Sequence, residues 1–385
     1  MRIAIVHDWL DTWRGGESTL AEILAVFPDA DLYALVDFLS AENRALLAGK
    51  RARVSFLQRI PRAASHFRGL LPLFPRAIES LDVSAYDVVV SVSHAVAKGV
   101  RTHAGQLHVC YCLTPMRYAW DMRETYLASV GAKHGVRRAL ADTVLDRLRR
   151  WDFDASRRVT CFIAISDYIR QRILRCYHRD AAVIHPPVDV DYFTPLGPAT
   201  HSQAYVTASH WVAYKRIDLM VEAFRSMPGR QLIVAGGGPE AERWRESSGS
   251  NVEFVGEVSR ERLRDLLRAA RAFVFAAEED FGIVPVEAQA CGAPVIAYAR
   301  GGVAETIRGL NAPEPTGVFF DEQSAAAICA AVAAFERNAR RIAPEACRAN
   351  AQRFGRELFR TRFAEHMAGL IEEFGAARTL RSARC

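Results

Sequence analysis

The sequence predicts an α/β protein of two domains, each built on a doubly wound parallel sheet. Short apolar stretches alternate with amphipathic helical stretches along most of the 385 residues, a rhythm typical of parallel strands joined by helices. A chain of this length is sufficient for two domains of ordinary size. Glycine and proline punctuation, with the run I-H-P-P-V-D from Ile184 to Asp189, indicates a linker between the domains.

Six apolar segments of the first half are expected to be its strands. They are Arg2–Val6, Asp31–Leu35, Val88–Val92, Leu107–Cys112, Cys161–Ile165 and Ala182–Ile184. A helix is predicted over Glu17–Phe27, because Gly15 and Gly16 lead directly into an amphipathic pattern. Residues 40–80 contain three prolines and predict an irregular insertion or short helices. We assign residues 1–185 to the first domain and 186–197 to the linker.

The second half has the clearer alternation. Its expected strands are Ala204–Ala208, Gln231–Ala235, Val252–Val255, Ala272–Ala276, Pro294–Tyr298 and Gly317–Phe320. Its expected helices are Ile217–Phe224, Arg260–Ala270, a short helix opened by Pro285 and closed near Gly292, Ala327–Phe335 and Phe354–Phe374. We assign residues 198–350 to the second domain and 351–385 to a closing helix.

Composition excludes several classes of protein. Half of the residues are hydrophobic and 24% are charged, as in globular proteins. The chain has no run of eighteen apolar residues, so no transmembrane helix is expected, and a strand begins too early for a cleavable signal peptide. The eight cysteines are scattered, which predicts reduced thiols in a cytoplasmic protein and no metal site.

A basic segment stands out against the moderate net charge of +6. Residues 133–158 contain eight lysines and arginines and carry apolar residues at helical spacing. A basic amphipathic helix can lie on an anionic membrane surface. An ordinary core-facing helix with a solvated basic face is the alternative, and both stay open. No nucleic-acid recognition motif accompanies the segment, so no nucleic-acid partner is expected.

The most informative segment runs from Glu279 to Ile296, E-D-F-G-I-V-P-V-E-A-Q-A-C-G-A-P-V-I. Glu279 follows a strand and Glu287 is placed in the first turn of the following helix. Ligands of open α/β sheets bind at the carboxyl ends of the strands. Backbone amides at a helix start suit a phosphate, and carboxylates suit sugar hydroxyls, so the segment predicts a nucleotide-sugar site. A simple strand-helix crossover with a surface glutamate at each end is the alternative.

This segment resembles the retaining family 4 glycosyltransferases of the GT-B class. The resemblance lies in the E-x7-E spacing, the Phe281-Gly282 pair and the ending A-x-A-x-G-x-P-V-I. It implies two Rossmann-like domains that face a central cleft, with the closing segment crossing back to the first domain. The chain is most similar to the family between residues 205 and 320.

The resemblance implies donor-side roles for individual residues. Glu287 would bind ribose hydroxyls, Glu279 the hydroxyls of the donor sugar, and Lys215 the diphosphate. The implied donor-binding set is Gly15, Gly16, His210, Lys215, Arg216, Gly282, Ile283, Val284 and Glu287. His210 stands where the family has an arginine, and a neutral imidazole lacks the fixed fork of a guanidinium. Arg216 would compensate only if its side chain turned toward the donor.

The implied catalytic set is Glu279, His94 and Lys215. Family members often place a histidine after the strand that precedes His94, where it contacts the donor sugar. A purely structural histidine is equally compatible with the sequence, and Ser93 could occupy the matching place. For the glycine pair before the first helix, a simple tight turn is the alternative.

The run from Tyr111 to Asp121 resembles a segment of a subgroup that acts on bacterial polysaccharides. The resemblance implies an acceptor site at Arg117, Tyr118 and Asp121. Aromatic faces and a planar cation suit sugars and phosphates. Packing is the alternative role for Tyr118 and Trp120.

Together these features lead to an expected activity. The resemblance implies a retaining, metal-independent transfer of a hexose, mannose being our expectation, from a GDP- or UDP-linked donor. The implied acceptor is a lipid-linked or nascent saccharide in surface polysaccharide or O-antigen synthesis, at the inner face of the cell membrane, and no further cofactor is expected. A nucleotide-sugar epimerase and a catalytically silent GT-B subunit are the alternatives, and His210 is the main support for the second.

Overall fold

The computed structural model describes residues 1–129, 131, 134–196, 203–238 and 241–382, and the chain divides into two compact units. The first unit contains Met1–His185 together with the chain from Phe359 onward. The second unit contains Pro186–Leu358. Lys133 of the basic segment and residues 197–202, where the expected linker ends, lie outside the described residues.

The first unit is built on a parallel sheet of seven strands in the order β3-β2-β1-β4-β5-β6-β7. The strands are β1 (Ile3–His7), β2 (Asp31–Ala34), β3 (Arg53–Val54), β4 (Val88–Ser93), β5 (Leu107–Cys112), β6 (Cys161–Ala164) and β7 (Ala181–Val183). The helices are α1 (Gly15–Val26), α2 (Ala41–Ala45), α3 (Ala63–His66), α4 (Phe74–Glu79), α5 (Arg123–Ser129), α6 (Gly135–Ser156) and α7 (Asp167–Tyr177).

The second unit is built on a parallel sheet of six strands in the order β10-β9-β8-β11-β12-β13. The strands are β8 (Tyr205–Ala208), β9 (Leu232–Ala235), β10 (Val252–Gly256), β11 (Phe273–Phe275), β12 (Val295–Tyr298) and β13 (Gly317–Phe320). The helices are α8 (Ile217–Arg225), α9 (Ala241–Glu246), α10 (Arg260–Ala269), α11 (Ile283–Ala290), α12 (Val303–Thr306), α13 (Ala325–Asn338) and α14 (Pro344–Gln352). Helix α15 (Arg356–Ser382) follows and belongs to the first unit from Phe359 onward.

The two parallel sheets confirm the predicted fold class. All twelve expected strands are present, and each end differs from the prediction by at most one residue. The reason is burial: strands of a parallel sheet are covered on both faces and read as continuous apolar runs. Every residue of β4 and β5, for example, is buried.

The structure differs locally from the prediction in three places. Residues 40–80 contain the expected short helices, α2, α3 and α4. They also contain β3, which was not predicted because a strand of two residues carries no readable alternation. α11 begins at Ile283 rather than at Pro285, since Gly282 adopts φ +87° and starts the helix earlier, so Glu287 falls in its second turn. The expected closing helix is present as α15, and α14, which was not predicted, precedes it. Between the two helices, the carbonyl of Phe354 accepts a hydrogen bond from the amide of Val188 at 2.8 Å.

Each unit has its own apolar core. One core cluster lies entirely within the first unit and includes Phe67 and Phe74, and another lies within the second and includes Trp211 and Phe224. The expected linker packs on the second unit, where the Arg348 guanidinium donates to the carbonyl of Phe193 at 2.8 Å. None of the helices in the described ranges is long and apolar enough to cross a membrane.

Candidate functional site

The strand order reverses once in each sheet, between β1 and β4 and between β8 and β11. Ligands of doubly wound sheets bind outside the carboxyl ends of the strands at such a switch point. The chain segments that leave these four strands contain most of the residues implied to be functional. Each unit is therefore described from its own switch point.

In the second unit, Lys215 and Glu279 meet at the switch point. The Lys215 ammonium donates to a carboxylate oxygen of Glu279, and their side chains are 13% and 18% exposed. Lys215 ends a 3₁₀ turn, Ala213–Lys215, that follows β8, while Glu279 follows β11. The ammonium also lies 5.3 Å from the centre of the Tyr214 ring and 5.9 Å from that of Phe275. The structure thus brings two of the three expected catalytic residues together, 64 positions apart in sequence.

Two glycines after β12 fix the backbone of Glu279. The amide of Gly302 donates to the carbonyl of Glu279 at 2.8 Å. A Cβ atom on Gly301 would lie 2.3 Å from that same carbonyl oxygen, and Gly301 has φ +84°. Only glycine permits this approach without a shift of backbone. These glycines hold the carboxylate in place, which is a supporting rather than a ligand-binding role.

Helix α11 starts directly after the loop that carries Glu279. Gly282 precedes its first turn in the left-handed region, followed by Ile283 and Val284. Amides in the first turn of a helix have no partner within the helix, and they point along the positive end of its dipole. Pro285 contributes no amide, so Ile283 and Val284 supply the donors that this helix start offers to an anion.

Glu287 lies further along α11 and is partly buried. Burial raises its pKa to about 7; the positive charge of Arg260 opposes this rise, and the negative charge of Asp189 adds to it. A carboxyl group with a pKa near neutrality accepts and donates hydrogen bonds depending on pH, and such perturbed groups concentrate at functional sites.

The two basic residues that flank Lys215 have different surroundings. His210 is exposed on the segment that leaves β8. Arg216 adopts φ +54° at the start of α8 and forms a two-fold contact with Asp218, at 3.2 Å from Nε to Oδ1 and 3.0 Å from Nη2 to Oδ2. Arg216 is thus committed to Asp218 in this structure. Donor binding by either residue stays a prediction.

The glycine run after β9 packs on the segment that leaves β8. A Cβ on Gly236, which has φ +120°, would lie 1.8 Å from the carbonyl oxygen of Ser209, and one on Gly238 would lie 2.1 Å from that of Trp211. The amide of Trp211 donates to the carbonyl of Gly237 at 2.8 Å. These glycines therefore shape the loop that precedes Lys215.

In the first unit, Asp8 and His94 meet at the switch point. Asp8 follows β1 and is fully buried, and its Oδ2 lies 2.9 Å from Nδ1 of His94. Burial alone would raise the pKa of Asp8 and lower that of His94. Their attraction and hydrogen bond outweigh burial, so the pKa of Asp8 lies well below its usual range and that of His94 is raised. His94 was expected from the sequence, whereas its partner Asp8 was not.

The glycine pair at the start of α1 adjoins the same region. Glu17 is buried, its Oε2 accepts the amide of Arg14 at 2.9 Å, and its Oε1 lies 3.5 Å from Nε2 of His7. A Cβ on Gly16 would lie 3.7 Å from the His7 ring. The pair therefore brings α1 close to the end of β1, and a sugar or phosphate contact for Gly15 and Gly16 stays a prediction.

The three residues implied to bind the acceptor have protein partners. Asp121 accepts from Nε of the buried Arg172 at 2.7 Å. The Tyr118 ring lies 5.5 Å from that of Tyr126, and burial raises the pKa of Tyr118 well above its usual value. The Arg117 guanidinium lies 3.8 Å from the sulfur of Met122. Acceptor binding by these residues stays a prediction.

A buried ion pair beside His94 escaped the sequence analysis. Lys98 and Asp152 are both fully buried, with Nζ 2.5 Å from Oδ1. The other carboxylate oxygen of Asp152 accepts from Trp120 Nε1 at 2.8 Å and from the Tyr177 hydroxyl at 2.7 Å. The sequence signal for this pair was weak: Asp152 is a charged residue among the apolar residues of the α6 segment. The network joins α6, α7 and the turn after β4.

Residues 193–354 match the family described as glycosyl transferases group 1. Over 156 residues the chain is 33% identical to D-inositol 3-phosphate glycosyltransferase of Mycobacteroides abscessus, covering 34% of this chain and 35% of that protein. The match thus spans about a third of the length of the curated relatives.

Solved structures are similar over nearly the whole chain. One is Anabaena HepE in complex with UDP and glucose, with a TM-score of 0.65 and 15% sequence identity. The superposition covers 96% of this chain and 99% of HepE. Sucrose-phosphate synthase from Thermosynechococcus elongatus has a TM-score of 0.68 at 20% identity, with 98% of this chain and all of that chain covered. The second unit therefore matches glycosyl transferases group 1 between residues 193 and 354, and the chain as a whole has the GT-B fold.

Proposed function

We propose that this protein is a retaining glycosyltransferase that moves a hexose from a nucleoside diphosphate sugar to a saccharide acceptor. The observation that carries the proposal is the contact between Lys215 and Glu279 at the switch point of the second unit. A cation and a carboxylate side by side are suited to a diphosphate and a sugar, respectively. The match of residues 193–354 to glycosyl transferases group 1 supports this assignment.

The proposed donor chemistry assigns each group of the second unit a task. Lys215 and the amides of Ile283 and Val284 would stabilise the negative charge that develops on the leaving diphosphate, which needs no metal ion. Glu279 would accept hydrogen bonds from hydroxyls of the transferred sugar, and Glu287 from the ribose. The Anabaena relative was crystallised with UDP and glucose, which supports a uridine nucleotide as a candidate beside the guanosine nucleotide.

In the reaction, the bond between the anomeric carbon and the diphosphate oxygen breaks, and the acceptor oxygen forms its bond on the same face of the sugar. The acceptor proton passes to the departing phosphate oxygen, so no basic side chain is required. Lys215 is paired with Glu279, and because an ammonium has three N–H groups, it can donate to this carboxylate and to a phosphate of the donor together.

Nucleotide release from a panel of GDP- and UDP-linked hexoses, with and without a lipid-linked saccharide extract, tests the proposal. We expect acceptor-dependent release from one donor, with GDP-mannose our first candidate. Lys215→Ala and Glu287→Ala should lower release at least about tenfold, the loss of roughly one charge-assisted hydrogen bond. Arg262→Ala, an exposed cation on α10, is the matched control and should leave release unchanged. Full activity of both Lys215→Ala and Glu287→Ala would sink the proposal.

The same assay separates the two other candidates. Product that forms without an acceptor indicates a nucleotide-sugar epimerase. Saturable nucleotide binding without turnover indicates a catalytically silent subunit, a candidate that His210 favours because it stands where the family has an arginine. In that case His210→Arg should restore turnover if the missing guanidinium is the cause.

We further propose that α6 attaches the protein to the inner face of a membrane, where a lipid-linked acceptor in surface polysaccharide synthesis is located. Val136 and Leu140 are 86% and 67% exposed on this helix, and Arg137, Arg147 and Arg150 are exposed beside them. Apolar insertion combined with cationic attraction is the pattern of interfacial helices.

Co-sedimentation with vesicles of phosphatidylcholine and phosphatidylglycerol tests this attachment. The double substitution Val136→Asp with Leu140→Asp should reduce the bound fraction severalfold, and added salt should do the same. Leu46→Asp, at another exposed leucine of the first unit, is the control. Equal binding of all three proteins would contradict the attachment.

A further inference from the structure

Asp8 is held by an unusually complete set of hydrogen-bond donors. Its Oδ1 accepts the amides of Val96 and Ala97, each at 2.6 Å, and its Oδ2 accepts those of His94 at 2.6 Å and Ala95 at 3.0 Å. The His94 ring adds Nδ1 at 2.9 Å. A carboxylate has about four lone-pair positions, so this one is fully used within the protein.

The four amides belong to the turn that leaves β4 at the switch point. In many doubly wound sheets the amides at such a position hold the phosphate of a ligand. Here the protein's own carboxylate takes that place, and those amides are not available to a phosphate. The consequence for function therefore passes through His94, whose ring contacts Asp8 through Nδ1.

The contact with Asp8 fixes the orientation of the His94 ring. Because ionised Asp8 only accepts hydrogen bonds, Nδ1 of His94 must carry a proton. Trp9 packs on the ring edge to face, with ring centres 4.5 Å apart, and prevents the ring from turning over freely. The His94 side chain is 32% exposed, and Nε2 is the ring nitrogen that remains for a ligand.

Other charged groups also face this pair. Glu17 favours the protonated form of His94 and Lys98 opposes it, while the His7 ring centre lies 6.3 Å from that of His94. Lys98 is itself neutralised by Asp152 at 2.5 Å and donates to the carbonyl of Ala95 at 2.7 Å. The buried lysine therefore anchors the turn that surrounds Asp8, while Asp8 supplies the nearest charge to His94.

The resemblance to the family implies a sugar contact for His94. We propose that Asp8 is the positioning residue for this contact: it holds the His94 ring with Nδ1 inward and leaves Nε2 to face the sugar. The sugar as ligand rests on the proposed glycosyltransferase function. The orientation of the ring rests on the geometry of the first unit alone. The two parts can therefore fail separately.

The orientation is tested by ¹⁵N-detected NMR of the histidine side chains in the full-length protein, without substrate. His94→Gln identifies the His94 signals. In the wild type we expect Nδ1 to stay protonated from pH 6 to pH 8, with a midpoint of titration above the ordinary histidine value of about 6.5. In Asp8→Asn we expect exchange between tautomers and a midpoint lower by about one pH unit or more.

A wild-type spectrum in which Nδ1 of His94 is unprotonated in the neutral ring overturns the proposal, and it does so even if Asp8→Asn fails to fold. A midpoint that is the same in wild type and in folded Asp8→Asn overturns it as well. Neither outcome depends on turnover, so both are distinct from a failure of the glycosyltransferase assignment.

The sugar contact is tested by the pH dependence of nucleotide release. We expect Asp8→Asn and His94→Gln each to lower kcat at least about tenfold, and the double variant to lose no more than His94→Gln alone, because Asp8 acts through His94. Asp8→Asn should also displace the pH profile, which a loss of stability by itself would not do. Additive losses, or an unchanged pH profile, would show that Asp8 serves only the fold.

Discussion

Replacement of Glu287 by glutamine is predicted to stabilise the second unit at neutral pH while it weakens nucleotide binding. Burial raises the pKa of Glu287 from 4.5 to about 7. Between these values the folded state binds more protons than the unfolded state, because the unfolded carboxyl has already ionised. Stability therefore falls as the pH rises from about 4.5 to about 7, and glutamine, which cannot ionise, removes this loss.

The size of the effect follows from the shift in pKa. One pKa unit corresponds to about 1.4 kcal/mol, so a shift of roughly two and a half units gives about 3 kcal/mol once both states are ionised above pH 7. At pH 5 the difference in unfolding free energy between Glu287→Gln and wild type is only about 1 kcal/mol. For a unit of this size, about 3 kcal/mol corresponds to a rise in Tm of roughly 6–12 °C.

The assay is urea unfolding of wild type and Glu287→Gln at pH 5, 6, 7 and 8, followed by tryptophan fluorescence. Trp211 and Trp244 report on the second unit, and the two units are fitted as separate transitions. Glu261→Gln, an exposed carboxylate on α10, is the control and should show no growth of the difference with pH. A difference between Glu287→Gln and wild type that is the same at pH 5 and pH 8 would refute the reasoning.

Three further predictions concern residues that support the candidate site. In a double-mutant cycle of Lys215→Ala and Glu279→Ala, thermal unfolding should show a coupling of about 0.5–3 kcal/mol, and additive effects would mean that the two side chains do not interact in solution. Gly236→Ala places a Cβ 1.8 Å from the carbonyl oxygen of Ser209 at φ +120°, and it should lower the free energy of unfolding in urea by at least about 2 kcal/mol. The control Gly229→Ala, where the added Cβ meets open space, should change that free energy by less than about 0.5 kcal/mol. Asp152→Ala removes the carboxylate partner of the fully buried Lys98 and should lower the free energy of unfolding by about 3–5 kcal/mol in the same measurement. A much smaller loss would indicate that the ion pair is solvated.

The strands could be read from the sequence because burial on both faces makes each of them an apolar run. Several of the longer helices were located in the same way, from apolar residues at helical spacing, whereas α9, α12 and α14 were not predicted. The ends of the predicted helices were less accurate than those of the strands. The start of α11 depends on a left-handed Gly282, and the break at Phe354 depends on a hydrogen bond to Val188, which is distant in sequence. Such ends are decided by contacts that local periodicity does not report.

For the candidate site, too, some features could be predicted from the sequence and others could not. The fold class, the segment from Glu279 to Glu287 and the positions of Lys215 and His94 after strands all followed from the sequence, because ligands of doubly wound sheets bind outside the strand ends at a switch point. Which charged groups meet depends on the folded chain: Lys215 contacts Glu279 across 64 positions, and Asp8 contacts His94 across 86. The raised pKa of Glu287 has the same origin, since burial and distant charges are properties of the folded chain and not of neighbouring residues in the sequence.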